Sequence, residues 1–153
     1  MKKYLLPHFF QPAGLIIFLF GMVFSILRFY AGIKPKFLDV KVFALYSTYL
    51  DTKYLKTISN NIGEELSGFL TILGLFLMAF SREKNEIDHF SALRLKAFMI
   101  TGYLWAAIIL ASFWLIFGLA FVNVMSLNLV LPLFLYIIIF RMLLYRDQQG
   151  SKA

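Results

Sequence analysis

Glu64 and Glu65 stand side by side at the head of an apolar run, where a carboxylate at the edge of hydrocarbon can exchange a proton or receive a cation. They form the candidate ion or proton site. The plainer role for the pair is to face the positive end of a helix dipole, with Asn61 as N-cap, and to pair with Lys53 or Lys56. His8, His89, Glu86 and Asp88 are the residue types of a metal site, but their spacing follows no ligand pattern, so they are expected to be solvated surface groups. A haem held within a bundle would need His or Met ligands at matched depth on facing helices, and no histidine falls inside an apolar run. The chain has no cysteine, so thiolate nucleophiles, disulfides and Cys-ligated metal centres are excluded. With no nucleophile and base at a common depth, no catalytic, cofactor or metal residue is assigned and no enzyme is expected.

A second group of polar residues lies in Ser81–Lys96. Arg82 and Glu86, and Lys84 and Asp88, are spaced four apart, with Ile87, Phe90 and Leu93 as a narrow apolar edge. This pattern predicts a charged helical extension that begins before the next apolar span. Arg82, Lys84, Glu86, Asp88, Arg94 and Lys96 are its candidate partner surface.

The elements that must carry these residues are set by composition. Hydrophobic residues make up 61% of the 153 positions, only 15% are charged, and the mean hydropathy is +0.78. Soluble domains carry about 25% charged residues, and so few could not cover a folded surface in water. The solvent is therefore lipid for most of the chain. Positions 97–140, 44 residues, contain no charge. As one helix they would extend about 66 Å, twice a hydrocarbon core of roughly 30 Å, so the chain must turn back within them. Asn123, Ser126 and Asn128 place that turn at Val122–Asn128.

The result is an all-α integral membrane bundle of four transmembrane helices, at about 12–33, 62–80, 97–121 and 127–145. A cleaved signal peptide is disfavoured, because the first apolar run leads into Arg28, Phe29 and Tyr30, not a small-residue cleavage site. Between the first two spans, Pro35 stops the helix and 34–61 forms the outer loop. Val40, Val42 and Phe43 look strand-like, whereas Tyr46, Tyr49, Leu50, Tyr54 and Ile58 fit a helical stripe better, so a short interfacial amphipathic element is expected there. The loop 81–96 lies on the other side.

Within the spans, Ser25, Ser67, Thr71, Thr101 and Ser112 are expected to return their hydroxyls to the preceding turn, and Arg28 and Arg141 to snorkel toward head groups. Gly63, Gly68, Gly74, Gly102 and Gly118 permit close approach of backbones, and Pro132 should kink the fourth span. The net charge of +7 fits lipid-facing orientation, not nucleic-acid binding, because no basic element free of the apolar runs is long enough to track a phosphate backbone. Nine Lys and Arg residues fall on the side of both termini and six on the other, which places both termini in the cytoplasm.

The hinge Phe80–Phe98, with Lys84, Glu86, Asp88, Leu93, Arg94 and Ala97, resembles one in small uncharacterised bacterial inner-membrane proteins. Phe117–Val124 and Phe140–Arg146 add to the similarity, which covers the last half of the chain. The resemblance implies a bacterial four-span protein and no activity. The expected function is an interaction, accessory or sensing subunit, in contact with the bilayer and with other membrane subunits or itself. A small oligomeric transporter or channel using Glu64 and Glu65 is the alternative.

Overall fold

The computed structural model describes residues 5–48, 52–84 and 89–150. The elements run α1 (Phe10–Phe29), β1 (Asp39–Thr48), β2 (Thr52–Asn61), α2 (Gly63–Phe80), α3 (His89–Leu115), α4 (Leu119–Leu127) and α5 (Leu131–Gly150). Three helices, α1, α2 and α3, are long and apolar enough to cross a membrane, and α4 with α5 supplies a fourth span if the bent pair counts as one.

α1 opens with Pro12 in its first turn, where the missing N–H costs nothing. It stops because Gly32 takes a left-handed conformation, φ +64°, while Ile33 N–H returns to Leu27 O at 3.2 Å. Pro35 then bars any continuation. α1 and α2 pack antiparallel along a seam of small residues. A Cβ on Gly21 would lie 2.7 Å from Thr71 N, one on Gly14 would lie 2.8 Å from Gly74 O, and one on Gly74 would collide with the backbone of Phe18. In lipid there is no hydrophobic drive between helices, so such close backbone approach and the dispersion it gives are what hold the pair.

The second pair is α3 with α5. Phe90, Ala97, Phe140 and Leu144 are its buried core, and Leu93, Tyr136, Ile139 and Leu143 pack around it. Tyr136 stacks on Phe140 at 6.0 Å and on Phe80 at 6.5 Å, so the Phe80 end of α2 leans on α5 and joins the two pairs. On the same end, Leu6 bridges Ser81: Leu6 N–H donates to Phe80 O and Arg82 N–H to Leu6 O, each at 2.9 Å. The start of α1, the end of α2, the start of α3 and the end of α5 are thus gathered at one end of the molecule.

The opposite end holds a departure from the expected architecture. Residues 34–61 are not an interfacial helix: after a 3-10 turn at Lys36–Leu38 they form an antiparallel β-hairpin, paired from Asp39↔Asn61 to Thr48↔Thr52. The β-branched Val40, Val42, Thr48, Thr52, Thr57 and Ile58 outweigh the tyrosine spacing that mimics a helical stripe. Tyr49 and Leu50 lie outside the described residues. Leu55 has φ +48°, a conformation costly for a β-branch-free but bulky side chain, and it sits where the ladder skips from Ala44↔Lys56 to Tyr46↔Tyr54.

The return in the second half is also placed differently. Val122–Leu127 lies within α4 with Asn128 as its C-cap, and the chain also breaks at Ile116–Gly118, with Gly118 at φ +68° and ψ −147°, a region open only to glycine. Ser126 Oγ donates to Val122 O at 3.0 Å and Asn128 Nδ2, from the C-cap, to Val124 O at 2.9 Å, so both side chains bond back to α4, while the buried Asn128 Oδ1 has no partner among the described residues. The bend expected at Pro132 takes the form of a break in the helix. The proline occupies the first turn of α5, after a break at 128–130, and the two helices meet at a 45° bend.

Candidate functional site

The Glu64 end is built around a buried cation. Arg28 comes from the last turn of α1, is only 7% exposed, and donates from NH2 to Glu64 Oε1 at 2.7 Å. Its guanidinium is turned inward to α2, where Gly63 leaves room beside its side chain, and does not extend to head groups as expected. The side chains of Lys53 and Lys56, the partners expected for the glutamate pair, lie outside the described residues. Glu65 faces elsewhere, its Oε1 accepting from Asn60 Nδ2 at 3.3 Å. The two carboxylates thus have separate partners, on α1 and on the hairpin.

Asn61 links the same corner to the hairpin. Its Nδ2 donates to Asp39 Oδ1 at 2.7 Å and to Pro35 O at 3.1 Å, and its Oδ1 accepts from Gly63 N–H at 3.2 Å. Ile62 N–H donates to Leu38 O at 3.1 Å. The helix starts one residue later than a capping box on Asn61 requires, with Ile62 at the N-cap, yet the asparagine still satisfies one of the first free N–H groups. Below Glu64, Ser67 Oγ donates to Glu64 O at 2.9 Å and Thr71 Oγ1 to Ser67 O at 2.8 Å, the back-bonding read from the sequence. Ser112 does the same to Ile108 O at 2.7 Å. Thr101 does not: its buried hydroxyl has no partner among the described residues. The two α2 hydroxyls below Glu64 are thus committed to carbonyls of their own helix.

The other end separates the six residues of the expected partner surface. Lys84 and Lys96 are exposed, and Glu86 and Asp88 lie outside the described residues. Arg94 is not a surface residue. It is 3% exposed, donates to Ala79 O at 3.3 Å and Ser81 O at 2.9 Å, and its guanidinium carbon lies 4.4 Å over the Phe140 ring. It therefore fastens the end of α2, which has its own last carbonyls to satisfy, to the α3–α5 core. Arg82 is partly buried, and its carbonyl meets His8 Nδ1 at 3.0 Å.

Glu83, which carries no recognisable pattern in the sequence, is the organiser here. Its Oε1 accepts from Gln11 Nε2 at 2.9 Å and its Oε2 from Arg141 NH1 at 3.3 Å, joining α1 and α5. Arg141 is half-exposed and held by this contact. His89 Nε2 lies 3.0 Å from Asp147 Oδ1, far along the chain from His8's partner, so the two histidines are engaged separately. Among the described residues no group of three His, Asp or Glu side chains could hold a metal ion. No protein-family model, no curated protein and no solved structure matches the chain.

Proposed function

We propose that this chain is a non-enzymatic, multi-pass membrane subunit whose task is to hold a β-hairpin firmly at one face for contact with another membrane protein or a second copy. The observation that carries this reading is the clamp at the hairpin root: Arg28–Glu64 joins the two helices that frame it, and Asn61 ties both strands' outer ends to Pro35 and α2. An isolated two-stranded sheet is marginal in water, so a hairpin anchored this way keeps a fixed presentation it would otherwise lack. Phe43 and Phe37 are exposed on or beside it, 64% and 78%, which suits an apolar partner surface. The engagement of Glu64 with Arg28 favours this role over an oligomeric transporter or channel working through Glu64 and Glu65.

The positive bias of the end carrying Lys84, Arg141 and Arg146 supports both termini facing the cytoplasm of a bacterial inner membrane, with the hairpin outside. A photo-crosslinking residue at Phe43, used in intact membranes, tests the binding role. A discrete protein adduct that weakens in Glu64→Gln is expected. Lipid adducts alone, or a protein adduct indifferent to Glu64→Gln, contradict it.

A further inference from the structure

At the end opposite the hairpin, a groove of about 600 Å³ opens between the residues that follow α2 and the last turns of α5. Phe90, Met142, Leu144 and Tyr145 make an apolar wall, and Lys84, Arg141 and Gln148 stand along it. Apolar sequence lies on one side of this level, in the α2 and α5 spans, and the polar run Arg146-Asp147-Gln148-Gln149 lies on the other. That is the depth of lipid head groups.

The geometry points to a binding site for one anionic glycerophospholipid, its phosphate between Lys84 and Arg141 and an acyl chain along Phe90, Met142 and Tyr145. Charge and shape both support that occupant. Lys84 is exposed. Glu83 also lines the groove, but its carboxylate already accepts from Gln11 and Arg141, and the rest of the Arg141 guanidinium remains open for a phosphate oxygen. The wall is mainly apolar and longer than a free anion would use, whereas a lipid meets cations with its head and the wall with its tail. The site lies far from the hairpin clamp, so it stands or falls independently of the function proposed above, and it requires only that the helices lie in a bilayer.

The test uses the full chain, purified in detergent and stripped of lipid, with native mass spectrometry and thermal unfolding as readouts. Phosphatidylglycerol, phosphatidylcholine and inorganic phosphate are added in turn. The expected result is a single phosphatidylglycerol adduct that raises the unfolding temperature, with no comparable effect of phosphatidylcholine or inorganic phosphate. Lys84→Gln should weaken phosphatidylglycerol binding about fivefold, the loss of one surface cation. Because Lys84 is exposed, its lipid-free unfolding temperature should not change. Arg146→Gln removes the same charge next to the groove but outside its lining and should leave the binding unchanged. Equal weakening by both variants would mean general attraction to a basic face. An equal response to inorganic phosphate would mean a simple anion site, and an equal response to phosphatidylcholine a non-selective apolar slot. Each of these overturns the proposal.

Discussion

Arg28 and Arg94 are the two cations that a membrane would most penalise, and each is placed where a helix pair can use it. Arg94 donates to two carbonyls at the end of α2 and lies over Phe140, so Arg94→Met should lower stability by about 3 kcal/mol, since two charge-assisted hydrogen bonds and a cation–π contact are lost. Unfolding in mixed micelles measures this. Arg94→Lys should recover only part, because an ammonium lacks the planar fork that reaches both carbonyls. Glu64→Gln should cost about 1 kcal/mol by the same assay. The carboxylate is 55% exposed, so the ion pair itself is screened, and the loss comes mainly from leaving the buried guanidinium with a neutral partner. The sequence marks these residues as charged and near span ends, but it does not say which way they turn. A long side chain at a helix end can reach water or a neighbour equally well, and only the position of Glu64 or of the Ala79 and Ser81 carbonyls decides.

Helix pairing explains which glycines matter. Gly74 was legible as a close-approach position, but Gly14 and Gly21, seven apart on α1, form the other half of the seam and carry no local small-residue motif that marks them. Gly74→Val should therefore separate α1 from α2 and cost about 3 kcal/mol or prevent stable assembly, through overpacking against the Phe18 backbone. Gly68→Ala, where an added Cβ meets nothing within 4 Å, should be neutral or slightly stabilising in the same unfolding measurement. Apolar runs were enough to locate α1, α2 and α3, because length and absence of charge dominate that decision. They misplaced the return after α3, since asparagine and serine can cap a turn or bond their own helix, and Gly118 was the residue whose backbone left no choice. The hairpin is legible only in part, at Val40, Val42 and Phe43, for a related reason: aromatic residues serve strands and interfacial helices alike, and the pairing that settles the matter is made between residues 39–48 and 52–61, not within either segment.

Taken together, the molecule is two antiparallel helix pairs, α1–α2 and α3–α5, joined where α2 leans on α5, with charged and polar groups collected at the two ends. One end carries Glu83, Lys84, Arg94 and Arg141, and the other the hairpin on its Arg28–Glu64 root. Such a layout follows from a lipid solvent, in which polar backbone and charge are tolerated only at the boundaries or against protein. It requires α4 and α5 to return the chain across the membrane as one bent span. Since the chain has no cysteine, single-cysteine substitutions report sidedness without background. Labelling Lys84→Cys, Gln148→Cys and Thr57→Cys in sealed membrane vesicles with an impermeant maleimide measures it directly. The account predicts that positions 84 and 148 react from the same side and position 57 only from the other. Reaction of positions 57 and 148 from one side, with 84 opposite, would contradict the four-crossing arrangement.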